Sequence, residues 1–322
     1  MLYPLTFQPI FKERVWGGRR LEQLYGKSLP PGVPIGESWE ISDRPGDVSI
    51  IKNGPLAGRD LHWLVEQRGK DLLGDAGLQG GRFPLLVKIL DAREKLSLQV
   101  HPPAAKAAEL GGEPKTEMWF IADAAPGAEL YAGFRRGVTR EQFERKIREG
   151  TVADCFHRVP VKAGDAMFLP SGRVHAIGAG LVIFEIQQNS DTTYRVFDWN
   201  RLGLDGNPRT LHVAESLASI DFTDFEPSLV QSALEKEGPV IRRPLVRTPL
   251  FTVELIDVKT GVLKLNKRRM QIIACLSGTM QLAHEGSSVW LGPGEFCLVP
   301  AVLDQVIVTV DSAATILRSE AG

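Results

Sequence analysis

Turn-forming residues recur so densely along this chain that no long element can run uninterrupted. Glycine (32) and proline (21) together make up about one in six of the 322 residues. Glycine supplies the left-handed backbone of tight turns, and proline ends helices and central strands, so the pieces between them must be short. Breaks fall at WGG (16–18), LPPGVP (29–34), PGD (45–47) and NGPLAG (53–58). Between breaks the apolar residues form short runs: PLLVKIL (84–90), LSLQV (96–100), MFLP (167–170), LVIFEIQQ (181–188), TTYRVFDW (192–199) and VIVTV (306–310). Their length and flanking breaks read as strands, as do Glu37–Ser42, Val48–Ile51 and Met118–Ala122. Helical signals are few. Asp60 can cap a helix running to about Leu73, a short Ala-rich helix spans 104–110, and another follows Thr210 to about 219. The clearest is 139–149, where Thr139 and Gln142 form a capping-box pattern and Phe143 with Ile147 gives an apolar stripe. An α/β sheet would need a helix after most strands, so the expected class is all-β, with jelly-roll sandwiches or barrels and a few short helices. The weakly patterned stretch 221–245 reads as a linker between a unit at 1–220 and a second at 246–322.

Composition narrows the function classes. Lys+Arg (38) and Asp+Glu (39) nearly balance, giving a net charge of −1 and no basic excess for nucleic acid or a membrane surface. Cys155, Cys275 and Cys297 form no C-x-x-C pair, which argues against a disulfide framework or a thiolate zinc site. No basic start with an apolar stretch opens the chain and no long apolar run follows, so a reducing cytoplasm is the expected location. The oligomeric state is not legible.

An internal echo links two distant stretches. Gly164-Asp165 and Gly294-Glu295 each precede four mostly apolar residues and a proline, Pro170 or Pro300. The pattern reads as turn, strand, turn in two related β units. The first string carries His175, and the second carries Gln305 at the equivalent place.

Several metal-compatible side chains cluster by pattern. Gln99 and His101 are two apart in LSLQVHPP, so a strand points both to one face. Lys115 and Glu117 are likewise two apart, and Glu185 shares a face with Ile183 and Gln187. His175 follows the Pro170-Ser-Gly turn, which can aim an imidazole inward. Two histidines, a carboxylate and an amide oxygen suit Zn²⁺ or another divalent first-row ion with one open position. His62, His157, His212 and His284 have no partner pattern and read as structural, and Trp16, Trp39 and Trp119 read as core rather than sugar platforms.

The string from Gly164 to His175 resembles the second motif of cupins. GESWEIS (36–42), FPLLVKIL (83–90), KLSLQVHP (95–102), GEPKTEMWF (112–120), PSGRVHAIG (170–178) and QQNSDTTYRVFDWNR (187–201) together resemble type I mannose-6-phosphate isomerases in their short bacterial form. The resemblance implies a double cupin with one zinc ion per chain, held by Gln99, His101, Glu117 and His175. It also implies an active-site arginine at Arg195, a nearby acid at Asp191, and pocket lysines at Lys88 and Lys115. Its substrate would be a phosphosugar, interconverted between mannose 6-phosphate and fructose 6-phosphate. The chain lacks the large helical insert of longer members, and 139–149 stands as its remnant.

Aldose–ketose interconversion moves a proton between C1 and C2 through a cis-enediol. It needs an electrophile for the developing oxyanion, a base at that face, and a clamp for the phosphate. Lys88, in an apolar run, is a candidate proton carrier or anion partner, and Lys115 should lie near the metal if Glu117 does. Arg195 is a poor base but suits an enediolate or phosphate, and Asp191 can assist ring opening or orient Arg195. The sequence leaves the proton-transfer base open. Two other readings compete: a non-catalytic sugar-phosphate-binding cupin, and a cupin oxidoreductase with a two-histidine, one-carboxylate iron centre. A pure binder has no need of Lys88, Asp191 and Arg195 beside an open metal site.

Overall fold

The computed structural model describes residues 1–265 and 269–322. Four antiparallel sheets form two jelly-roll units, so the fold is an all-β double cupin. The first unit's large sheet runs in the order Ile10–Gly18, Ile35–Ile41, Leu85–Ala92, Leu181–Gln188, Glu117–Ala124, Ala166–Leu169. Its small sheet runs Tyr194–Phe197, Leu98–Val100, His175–Ile177, Glu129–Phe134, Phe156–Pro160. The second unit repeats the plan. Its large sheet runs Glu235–Glu237, Val240–Arg247, Phe251–Val258, Ala314–Ala321, Gln271–Ser277, Phe296–Val299. Its small sheet runs Gly261–Leu265, Val306–Val310, Met280–His284, Ser287–Leu291.

The sequence echo is a structural repeat. Gly164 N–H donates to Ile121 O, and Ile121 N–H donates back to Asp165 O, at 2.8 and 2.9 Å. Gly294 and Glu295 make the same exchange with Cys275, at 2.8 and 3.0 Å. In each unit the strand after this turn forms the edge of the large sheet, ending just before a proline.

Alternation along Leu181–Gln188 explains how the units join. Leu181, Ile183, Glu185 and Gln187 face the first barrel's interior, while Val182, Phe184 and Ile186 face the second unit. Both faces are buried, which is why the strand reads as a nearly continuous apolar run. Phe184 stacks on Phe296 of the second unit with centroids 5.5 Å apart. The same apolar cluster draws in Leu2, Leu5 and helix Leu61–Leu73 on one side and strands of the second unit on the other. Leu5 exchanges both backbone hydrogen bonds with Leu298. A buried Lys27–Glu40 ion pair (2.7 Å) sits at the same seam, with Lys27 Nζ also donating to Gly294 O.

Three expectations change. Residues 235–237 and 240–247, expected largely as linker, form the outermost two strands at one side of the second large sheet. Their pattern is weak because the strands are half exposed, and Pro244 is tolerated beside a register shift. A regular strand over TTYRVFDW would put Phe197 on the face of Arg195, two residues on, but a bulge between them turns Phe197 to the outer side, against Trp199. The Ala-rich helix is a single turn, Ala104–Ala107. Helix Arg140–Glu149 carries the full capping box and buries Phe143 on the outer face of the first small sheet. Among the described residues, no helix is long and apolar enough to cross a membrane.

Candidate metal centre and active-site cleft

Three strands bring the cluster together. His175 opens its strand directly opposite Gln99, and His101 follows two residues after Gln99 on the same face. Glu117 opens the strand paired with Leu181–Gln188 and lies across from Gln187. The turn before His175 closes through Gly172, whose φ of +92° suits glycine, and Gly172 N–H donates to His101 O at 2.9 Å. The two histidine segments are thereby tied backbone to backbone.

The donor atoms of His101, Glu117 and His175 all lie within 4.8 Å of one another, and all three residues are buried. Each imidazole spends its Nδ1 on a carbonyl: His101 on Thr192 O (2.8 Å) and His175 on Arg173 O (3.0 Å). Both Nε2 atoms are therefore lone-pair acceptors. They face Glu117 at 3.5 Å and 3.3 Å, so acceptor meets acceptor. His101 Nε2 and Glu117 Oε1 make no well-formed hydrogen bond, and Glu117 Oε2 meets only the Lys115 ammonium, at 3.0 Å. Burying such a set without a cation between them is unfavourable, and this donor set fits a divalent metal ion. Gln99 lies beside the three, with its amide Nε2 3.4 Å from His175 Nε2.

Electrostatics keep these donors in the form a metal takes. Burial, reinforced by the nearby Lys115 charge, pushes His101 down to about 4, and burial likewise lowers His175. Glu117 should rise on burial, but Lys115 and the histidines hold it well below the usual carboxylate range. Lys115 Nζ lies 3.0 Å from Glu117 Oε2; burial would lower its pKa, but Glu117 and Glu185 outweigh that and raise it.

Gln99, Lys115 and Trp119 connect the cluster to a cleft of about 530 Å³. Lys88, Asp191 and Arg195 also line it. Lys88 was read from its apolar run as a proton carrier or anion partner. It is ion-paired on both sides, with Glu185 at 3.2 Å and Glu37 at 3.8 Å, and is 4% exposed. Glu185 also accepts from Trp119 Nε1–H at 2.9 Å, and the Trp119 and His175 rings meet perpendicular to each other, centroids 5.3 Å apart. Glu37 accepts from Trp39 Nε1–H (2.6 Å) and Arg14 Nε–H (2.8 Å). Burial would raise Glu37, yet Lys88 and Arg14 bring it to about 2.

Arg195 differs from the other cations of the cleft. Arg209 is bound by Asp198, which also holds Arg201. Arg195 donates from Nη1 to Thr210 O (2.8 Å), its Nε is buried without a partner, and among the described residues no carboxylate lies within ion-pair distance. Its backbone N–H donates to His212 Nδ1 at 3.3 Å, so His212, read as structural, supports the strand of Arg195.

Residues 5–118 match the family model described as phosphomannose isomerase type I, catalytic domain, and residues 243–320 match the mannose-6-phosphate isomerase cupin domain. Over 304 residues the chain is 43% identical to a probable mannose-6-phosphate isomerase, GmuF, of Bacillus subtilis, covering 94% of each chain. The chain belongs to the type I mannose-6-phosphate isomerase family. A mannose-6-phosphate isomerase of Streptococcus mutans is 35% identical over 301 residues, covering 93% of each. The crystal structure of the mannose 6-phosphate isomerase from Bacillus subtilis superposes with a TM-score of 0.90 at 31% identity, over 99% of both chains. Membership of this family makes the chain an isomerase.

The site holds residues the sequence reading gave no role. Glu37 and Arg14 line the cleft from the first two strands. The alternation in GESWEIS could have signalled Glu37, since it shares a face with Trp39, whereas Arg14 lies in a bulged strand whose period is broken.

Proposed function

We propose that this protein is a zinc-dependent aldose–ketose isomerase interconverting mannose 6-phosphate and fructose 6-phosphate through a cis-enediol. The observation that carries the reading is the convergence of three buried acceptors, on His101, Glu117 and His175, beside a cleft lined by Arg195. The ion would be held by these three residues with Gln99, and when bound it supplies Lewis-acid stabilisation to charge developing on a sugar oxygen.

The chain's own groups divide the remaining work. Arg195, with no carboxylate of its own, holds an anion: the enediolate or the phosphate. Asp191 faces the same cleft and is positioned to take or return a hydroxyl proton during ring opening. Lys88 and Lys115 present ammonium groups to the cleft, each anchored by carboxylates that fix where its protons point. One proton leaves C2 of the aldose and one is delivered to C1, so no oxidant or reductant is needed. Trp16 and Trp119 wall the cleft and limit water at the reacting carbons. A pure binder needs no such set of proton-bearing groups, which favours turnover over storage or sensing.

The test is conversion of mannose 6-phosphate by purified protein with and without a strong chelator. Activity lost on chelation and restored by zinc supports the reading. Chelator-resistant conversion removes the metal from the mechanism, and no conversion by zinc-replete protein removes the substrate assignment.

A further inference from the structure

Gln187 is fully buried at the end of the strand that carries Glu185, directly across from Glu117. Its carboxamide is used in a lopsided way. The Nε2 group donates to Gln188 O at 2.8 Å and to Ser190 O at 2.6 Å, while Oε1 is buried with no partner. A side chain whose donors are both spent and whose acceptor is idle is acting as a double donor. Those two bonds fold the chain back on itself just past the strand, where Ser190 N–H also donates to Gln188 O at 2.7 Å.

The fold-back decides where the next residues point. Buried Ser190 uses its hydroxyl to bind Glu113 O and to accept from Thr192 N–H, both at 3.2 Å. Thr192 is thereby set so that its carbonyl meets His101 Nδ1 at 2.8 Å. That contact keeps the proton on Nδ1 and leaves Nε2 as the acceptor aimed at Glu117. On either side of Thr192, Asp191 and Thr193 line the cleft.

We propose that Gln187 is a positioning residue for His101: by clamping the Gln188–Ser190 turn it delivers the Thr192 carbonyl that fixes the imidazole's tautomer and orientation. The proposal rests on the reading of His101, Glu117 and His175 as a metal centre for its consequence, but its geometry stands without one. Outer partners that fix a ligating histidine typically change metal affinity by 10- to 100-fold when lost.

The test uses the full-length protein and Gln187→Met, which keeps the volume and removes both donors. In metal-free protein, long-range ¹H–¹⁵N spectra should show His101 of the wild type as one tautomer with the proton on Nδ1, and Gln187→Met as a mixture. Zinc competition against a chromophoric chelator should show binding about 10- to 100-fold weaker in the variant. If Gln187→Met does not fold, Gln187→Asn serves, because it keeps the donors but is too short to span both carbonyls. An unchanged tautomer with unchanged zinc affinity in a folded variant overturns the proposal. A wild type that binds no zinc defeats the metal reading alone, and the tautomer measurement still decides the role of Gln187.

Discussion

Glu117 and Gln271 occupy the same place in two copies of one strand. Each begins its strand and pairs with the last residue of the edge strand that follows the echoed turn, Leu169 in one unit and Val299 in the other. In the first unit that position holds a buried carboxylate facing two imidazoles. In the second it holds a buried neutral amide. The repeated frame therefore does not by itself make a site. What makes one is the exchange of a few inward side chains on strands whose outward side chains are still needed for packing. The proposed function then implies a division of labour: the first unit would supply the chemistry, and the second covers the first unit's outer sheet face.

The largest test of that division is to remove the second unit. Phe184, Ile186 and Val182 belong to one apolar cluster with Phe296, Ile272 and Leu298. Exposing a buried large apolar side chain costs about 1.5–3 kcal/mol each, more in total than a domain's net stability. A fragment ending at residue 240 should be insoluble or unfolded, judged by recovery in the soluble fraction and by circular dichroism. A soluble, metal-loaded, active fragment would show two independent units instead.

A smaller change turns the first unit into a copy of the second. Glu117→Gln, or loss of His101 or His175 to Ala, should abolish metal retention and turnover, read by elemental analysis and isomerase assay. The reciprocal Gln271→Glu should lower stability by burying an unpaired charge, without adding an ion. One ion per wild-type chain is the expected stoichiometry. A second ordered ion near His284 and Gln305 would break the comparison.

Arg195→Ala should leave fold and metal intact and cut turnover by roughly 10²–10³, the usual loss when a fixed electrostatic donor is removed. An unaltered kcat would mean that another cation of the cleft carries the anion.

Much of this was legible in the sequence, for definite reasons. Glycine and proline set strand lengths, and the capping residues of 139–149 act within one turn, so both are local signals. Gln99 with His101, and Lys115 with Glu117, are visible because a strand's period of two puts each pair on one face. The pairing of Lys88 with Glu37 and Glu185 was not visible, since it joins three strands that register side by side only in the folded sheet. The linker was drawn too long because edge strands are half exposed and lack the apolar run of a central strand. The bulge after Arg195 also escaped notice, because a period-of-two reading assumes a regular strand.

The pH dependence of stability should belong to the first unit. His101 sits at about 4 in the folded, metal-free chain against 6.5 as its ordinary value. Between these values the unfolded chain binds a proton that the folded chain does not, so stability falls as pH drops from about 6.5 toward 4. The size is roughly 3 kcal/mol at 1.36 kcal/mol per unit. Glu117, held low, adds stability above its ordinary value that is lost on further acidification. Urea unfolding of chelator-treated protein at pH 7 and pH 5, compared with His101→Gln, isolates the histidine. Equal slopes in both proteins would place the acid sensitivity elsewhere.

The smallest effect expected concerns the cover of the two small sheets. In the first unit, helix Arg140–Glu149 lays Phe143 against Phe134, Phe156 and Phe222 on the outer face. In the second, Val262, Trp290 and Ile307 of the small sheet are exposed. The helix is therefore an addition to the shared plan, and its N-terminus is fixed by Thr139 Oγ1 accepting from Gln142 N–H while Gln142 Oε1 accepts from Thr139 N–H. Thr139→Ala removes the first of these bonds and should cost about 1 kcal/mol. Phe143 N–H closes the first turn on Thr139 O at 3.0 Å and its ring is held by three phenylalanines, neither of which the substitution removes, so the face stays covered. The melting temperature should drop by about 2 °C with kcat and KM unchanged. Phe143→Ala, which opens the cluster itself, should cost about 3–5 kcal/mol. If Thr139→Ala alone altered kcat, the helix would be coupled to the cleft through the strand of His175, and the cover could no longer be treated as separate from the chemistry.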